Sequence, residues 1–194
     1  MAADSSKKTS DVKPSSSDDV NNDNLGGFAI GASLYRWICD NLPAGSSILE
    51  LGSGRGTVEL AKRYRVYSVE DDEKWVGHCP GAHYLHAPIR QYRYVEDETK
   101  TYNWYDVSKV RSFLSDKRYD LLLVDGPIGP KYGRWGFIEN IDLFDSSVPV
   151  VVDDTDRNME QRIANWLASN WKVKKRIEIP DGRKRATVLL PSSR

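Results

Sequence analysis

The chain has 194 residues, with 28 Lys plus Arg set against 28 Asp plus Glu and only two cysteines, Cys39 and Cys79. That length suits one domain with room for a core, and a formal net charge of zero removes any global field that would recruit nucleic acid or an anionic membrane. No run reaches the roughly 18 to 20 apolar residues that cross a bilayer, and no secretory-type apolar stretch stands at the N-terminus, so a reduced, cytoplasmic protein without a membrane partner is expected.

Residues 1–24, MAADSSKKTSDVKPSSSDDVNNDN, carry almost only Ser, Asp, Lys, Asn and Thr. So few large apolar groups cannot offset the entropy of ordering, and this stretch is expected to be a disordered tail ahead of one domain over residues 25–194. In FAIGASLYRWICDNL, Ile30, Leu34, Trp37 and Ile38 recur at helical spacing, and Pro43 with Gly45 closes the helix. A short apolar strand is expected at 47–51, a crossover helix in TVELAKRY and a second strand in RVYSVE. Beyond these, HYLHAPI (83–89) reads as a weaker strand, WYDVSKVRSFLSDK as a helix, YDLLLVDG as a buried strand and VPVVVDD as another. MEQRIANWLASN then places Ile163, Trp166 and Leu167 on one helical side. Strands alternating with helices predict an α/β fold, a mainly parallel sheet covered on both faces. The last segments, WKVKKRIEI, PDG and RKRATVLL, predict an antiparallel hairpin with Val173, Ile177 and Ile179 facing inward.

The first strand ends in ILELGSGRGT (48–57), where Gly52, Gly54 and Gly56 form a turn that opens a helix. Such a turn brings backbone N–H groups up to a ligand. The spacing G-x-G-x-G differs from the G-x-G-x-x-G of a dinucleotide loop, and no Lys-Ser/Thr follows as a phosphate loop requires. Glu50, two residues before the first glycine, would repel a pyrophosphate and suits a cationic ligand. Glu70 ends the second strand about twenty residues on, where a carboxylate can accept both hydroxyl protons of a ribose.

On these residues the chain resembles the class I S-adenosylmethionine-dependent methyltransferases, whose first motif has the form E-x-G-x-G-x-G and whose second strand ends in an acid. The resemblance covers most of residues 28–190. It implies a Rossmann-like, mainly parallel seven-stranded sheet with a C-terminal antiparallel hairpin, and S-adenosylmethionine as cofactor. Glu50, Gly52, Ser53, Gly54 and Gly56 would form the turn against the methionine portion and ribose, and Glu70 would hold the ribose hydroxyls. His86 and Ala87, after the third strand, are assigned to the adenine.

Asp125 in LLLVDGPIGP and the pair Asp153 and Asp154 in VPVVVDDTDR stand at strand ends, where such folds place their chemistry. Three converging carboxylates suit a hard cation such as Mg²⁺. The pattern is similar to the cation-dependent O-methyltransferases, which implies Asp125, Asp153 and Asp154 as metal ligands and a metal-activated acceptor hydroxyl. The plain alternative is that Asp125 caps a turn and the pair are hydrogen-bonded loop residues. Without a metal, Asp125 or Asp153 would be the catalytic base, and alignment would supply ~7–11 kcal/mol of the barrier. Asp125 is also placed beside the cofactor.

VDGPIGPKYGRWG departs from the metal-dependent pattern with its two prolines and later glycines. It resembles a lid or substrate loop, with Lys131, Tyr132, Arg134 and Trp135 available to an anionic or sugar-like substrate. The basic hairpin, Lys172 to Arg185, is read as protection of a sheet edge ahead of phosphate binding. Tyr92, Tyr94, Tyr102, Trp104 and Tyr105 are read as packing over a long connection ahead of stacking on a ligand. The expected activity is O-methylation of a small-molecule, sugar or glycan hydroxyl. Nucleic acid as the acceptor, or a cofactor-binding module without catalysis, are the alternatives, and oligomeric state is not legible.

Overall fold

The computed structural model describes residues 30–128 and 133–192. The expected tail at 1–24 lies outside the described residues. In chain order the elements are α1 (Ala32–Asn41), β1 (Ser47–Leu51), α2 (Arg55–Ala61), β2 (Arg65–Glu70), β3 (His83–His86), β4 (Ile89–Arg93), β5 (Thr101–Tyr105), α3 (Val107–Leu114), β6 (Leu121–Val124), α4 (Gly136–Glu139), a 3-10 turn (Ile141–Leu143), β7 (Val150–Val152), α5 (Asn158–Asn170), β8 (Val173–Asp181) and β9 (Lys184–Pro191).

Seven of the strands form one sheet in the order β3-β2-β1-β6-β7-β9-β8. The first five of that order pair in parallel, and β9 joins antiparallel to both β7 and β8. The central strands are apolar without a break because both of their faces are covered. Leu49, Leu51, Leu122, Val124 and Val152 point into one core with Val110, Ile163 and Leu167 of α3 and α5. Their neighbours Ile48, Leu121, Leu123 and Val151 point into the other, with Leu34 and Ile38 of α1 and Leu60 of α2. The period-two alternation of a strand thus divides each short run between two helical layers. The chain leaves β1 toward β2 on one side and places β6 on the other, so the ends of β1 and β6 flank the switch point of the sheet.

Two expectations are corrected. The helix expected to begin at Trp104 begins at Val107, because Trp104 and Tyr105 belong to β5, which pairs antiparallel with β4 outside the main sheet. Asp106 makes the break: its side chain accepts from Lys109 N–H and caps α3. Tyr92, stacked on Tyr102 across the hairpin, donates to the Tyr105 carbonyl and accepts from Val107 N–H. The second correction concerns Val173, expected to share a face with Ile177 and Ile179. A register shift between Val173 and Lys175 turns the strand over, so Val173 packs on the α3/α5 core while Ile177 and Ile179 pack on the α1/α2 core. β8 is the outermost strand on its side of the sheet, which puts Lys174, Lys175 and Arg176 on an edge, while Lys184 and Arg185 lie on the inner strand β9.

Candidate functional site

The turn after β1 is held by its own side chains. Glu50 is buried, and the Thr57 hydroxyl donates to its Oε2 at 2.8 Å. That uses the only proton of Thr57, so Ser53 Oγ, 3.1 Å away, donates to Thr57, and Tyr84 Oη, 3.0 Å from Ser53, donates in turn. Gly54 N–H donates to Thr57 Oγ1 as well, which ties the turn to the first residues of α2. Burial pushes the Glu50 carboxyl up to about 8, with the Thr57 hydroxyl pulling it partway back.

Gly52 has φ +91, and a Cβ there would lie 2.8 Å from Gly126 N. A Cβ on Gly126 would in turn lie 2.7 Å from Gly52 Cα. Glycine is therefore required at both positions by the contact between the β1 and β6 turns. At Gly56 a Cβ would meet Ile30 N at 3.1 Å, a packing contact with the segment that leads into α1.

Glu70 sits where the spacing placed it, at the end of β2 beside the glycine turn. Its Oε2 accepts from Ser53 N–H at 2.6 Å and its Oε1 from the N–H groups of Asp71 and Asp72, each at 2.8 Å. Burial raises its pKa, and the N–H groups of Asp72 and Ser53 offset part of that. A carboxylate offers roughly four lone-pair sites, so capacity for a further donor remains. Ala87 N–H donates to the Glu70 carbonyl, and His86 Nε2 lies 3.2 Å from the Asp71 carbonyl. The His86 ring is thus engaged with its neighbours, as a loop histidine would be.

Asp125 and Asp153 are carried to the same edge by the ladder: Asp125 N–H bonds to the Leu51 carbonyl and Asp153 N–H to that of Val124. Oxygens of Asp125, Asp153 and Asp154 lie within 4.8 Å of one another. The side chain among them is Arg134. Its Nη2 donates to Asp125 Oδ1 at 3.2 Å and Asp154 Oδ2 at 3.0 Å, its Nη1 donates to the Asp153 carbonyl at 3.0 Å, and its Nε stands 3.7 Å from Glu160 Oε1. Arg134 is only 3% exposed. The loop residue expected to face substrate therefore faces inward, which corrects that part of the lid expectation. Lys131 and Tyr132 lie outside the described residues. Trp135 is also tied down, its indole N–H bonded to Glu139 and its ring covered by Arg162.

Asp154 adopts φ 57, a left-handed conformation that a non-glycine residue holds at a cost. Two guanidinium groups converge on its Oδ2, Arg134 at 3.0 Å and Arg157 at 2.9 Å. Burial raises Asp125 to about 6, with Arg134 opposing. Burial and the neighbouring Asp125 and Asp154 raise Asp153 well above the ordinary carboxyl range. Asp125 keeps a quarter of its side chain exposed. As a metal site the donor set fits poorly: two of the three carboxylates already bond to a fixed monocation that cannot be deprotonated.

Tyr105 was read as packing, yet its hydroxyl is buried with no hydrogen-bond partner in the structure. It lies against Gly126, and its pKa is raised well above the ordinary value by burial and then by the charges of Glu70 and Asp71. A buried unpaired hydroxyl is costly, and a polar ligand at the β1/β6 switch point would supply its partner. The Glu70, Asp71 and Asp125 carboxylates around that point suit a cationic guest. Both observations fit a sulfonium-bearing nucleoside.

No protein-family model matches the sequence, and no curated protein matches it. Solved structures do. A methyltransferase from Geobacter sulfurreducens superposes with a TM-score of 0.53 at 10% identity, over 82% of this chain and 78% of that one. The MycE methyltransferase of the mycinamycin biosynthetic pathway, in complex with Mg and SAH, superposes in two crystal forms with TM-scores of 0.51 and 0.52 at 11% identity. The chain spans a little under half the length of MycE, 45% and 48% in those forms. The fold is that of the class I methyltransferases. In this methyltransferase fold the glycine turn, Glu70, Asp125 and Asp153 all lie at the C-terminal ends of β1, β2, β6 and β7, the edge at which open α/β sheets bind their ligands.

Proposed function

We propose that the protein is an S-adenosylmethionine-dependent methyltransferase acting on a hydroxyl of a small-molecule, sugar or glycan acceptor, within one domain over residues 25–194. The observation that carries this reading is the pairing of the Glu50 glycine turn with Glu70 through Ser53, at the switch point of a methyltransferase-type sheet. The cofactor supplies a methyl group already activated by its positive sulfur, open to one in-line displacement by the acceptor oxygen. Gly52, Ser53, Gly54 and Gly56 would lie along the methionine portion and ribose, with Glu70 accepting from ribose hydroxyls. His86 and Ala87 border the place assigned to the adenine, where the backbone is the better candidate because the His86 ring is engaged with Asp71.

Asp125 is the base we assign. It is partly exposed, and a carboxyl raised to about 6 is poised to accept a proton near neutral pH. Asp153, also a candidate on sequence grounds, is buried with its pKa raised, and a positioning role suits it better. Asp125 would take the proton of the acceptor hydroxyl as its oxygen accepts the methyl group. Two free thiols, Cys39 and Cys79, support a reducing cytoplasmic setting. Among the described residues no helix is long and apolar enough to cross a membrane.

Calorimetry with S-adenosylhomocysteine tests the cofactor half of the proposal: saturable one-to-one binding is expected, and no heat at millimolar ligand would end it. Incubation with methyl-labelled cofactor and pooled hydroxylated metabolites, sugars and glycans tests the acceptor half, with label expected in an ether product.

A further inference from the structure

We propose that Arg134 is a resident cation that occupies the role of a divalent ion at the ends of β6 and β7, so that the site takes its acceptor through one nucleophilic oxygen and needs no chelating pair. The acceptor clause rests on the methyltransferase reading above. The position of the guanidinium does not.

Three carboxylates within 4.8 Å of one another would ordinarily invite Mg²⁺. Mg²⁺ demands oxygens at about 2.0–2.1 Å in near-octahedral array and keeps several waters. Here the Arg134 guanidinium spans the group instead. It bonds to Asp125 and Asp154 through one nitrogen and to the Asp153 carbonyl through another, and Glu160 stands beside its Nε. An entering dication would have to compete for two of its three ligands and share a buried space with a permanent positive charge. Arg157 adds a second positive charge on Asp154 at 2.9 Å.

The guanidinium is also held from behind. Arg134 leads directly into α4, where Gly136 packs so closely on Trp104 that a Cβ would overlap the indole, and the next residue, Trp135, is fixed between Glu139 and Arg162. Packing on β5 and α5 thus sets the position of Arg134. A metal that orients a catechol or a sugar diol does so by binding two neighbouring oxygens. A guanidinium whose Nη groups bond to protein oxygens offers no such bite. The acceptor therefore needs only one nucleophilic oxygen, presented to the partly exposed Asp125.

The test is a Mn²⁺ titration of the full chain, followed by the paramagnetic resonance of free Mn²⁺. Wild type is expected to show no saturable site up to about 1 mM, the weak end of specific divalent binding. Arg134→Met should gain one site per chain, at least tenfold tighter than any binding by wild type, and Asp154→Asn added to it should remove that site. Saturable binding by wild type that Asp154→Asn abolishes would overturn the proposal, as would a folded Arg134→Met that gains no site. Should Arg134→Met not fold, the wild-type titration decides alone. S-adenosylhomocysteine calorimetry on the same samples reads the methyltransferase proposal separately: its failure would sink that reading and leave the Mn²⁺ result standing.

Discussion

The glycine turn and the aspartate cluster lie at the same edge of one sheet but are built in different ways. Around the turn, Glu50, Ser53, Thr57 and Glu70 fall within about twenty residues of one another, and hydroxyls and backbone N–H groups satisfy the two buried acids. Around the aspartates the partners come from the ends of β6 and β7, from α5 and from Arg134 two residues before α4, and the balancing group is a buried guanidinium. Losing one hydroxyl or N–H partner of a carboxyl leaves a polar group short of one hydrogen bond, at about 1–3 kcal/mol. A buried charge network loses more, because removing the cation leaves carboxylates uncompensated in a low-dielectric site. Substitutions in the two regions should therefore differ in size and in pH response.

The largest effect is expected from Arg134→Met. Breaking a buried ion pair on one side costs about 3–5 kcal/mol, and chemical denaturation should show a loss of that order, with Arg134→Lys losing less. Next comes Asp125→Asn. If Asp125 is the base, methyl transfer should fall about 10²- to 10⁴-fold, while S-adenosylhomocysteine affinity stays within about tenfold by calorimetry. A smaller loss in transfer together with a large loss in affinity would move Asp125 from the reaction to the cofactor.

Gly52→Ala should cost about 1–3 kcal/mol in stability. Its Cβ would have to enter the contact with Gly126 at a φ of +91, and alanine tolerates neither. Ala at Gly45, which also has positive φ but an open surrounding, is the control for the close approach: it carries only the conformational part of the penalty.

A pH dependence is the remaining effect, read as a slope and not as the loss of one contact. Glu50 has its pKa raised from 4.5 to about 8, so between those values the folded protein holds a proton that the unfolded chain has released. The sign follows: this contribution to stability is fully present below about pH 4.5 and is lost as pH rises through about 8. Asp153, raised from 3.8 to about 8, acts in the same direction. Thermal unfolding should therefore fall by at least about 2–4 °C between pH 5 and pH 8, the shift that 1 kcal/mol produces in a domain of this size. Glu50→Gln should flatten that slope in part and leave the Asp153 share. A slope unchanged by Glu50→Gln would mean that Thr57 keeps the carboxylate charged throughout.

Much of the frame was legible in the chain because its signals are local. β1 and β2 have the bounds expected of them, since each is a short apolar run closed by a glycine turn or an acid. The terminal hairpin follows from two alternating runs about PDG. The β4–β5 hairpin was missed, although Thr-Tyr-Asn-Trp alternates polar with aromatic residues; Ile-Arg-Gln-Tyr-Arg, with Ile89 and Tyr92 three apart, carries no such alternation. The aromatic content of the segment suggested packing, and the alternation in β5 was the overlooked signal. For Thr57 the available signal was its place on the face of the opening helix that looks back at Glu50.

The sequence by itself determined the alternation of strands and helices, the reach of the glycine turn and the position of every acid along the upper edge, because strand ends and turns are set by neighbours in the chain. Only the tertiary structure decided which way Arg134 points, that Gly52 is needed by Gly126 as well as by any ligand, and that Tyr105 brings an unpaired hydroxyl to the same place. Those outcomes depend on burial and on pairing across long separations, where a charged residue in a glycine-rich loop reads the same whether it turns to solvent or is drawn into a cluster of carboxylates.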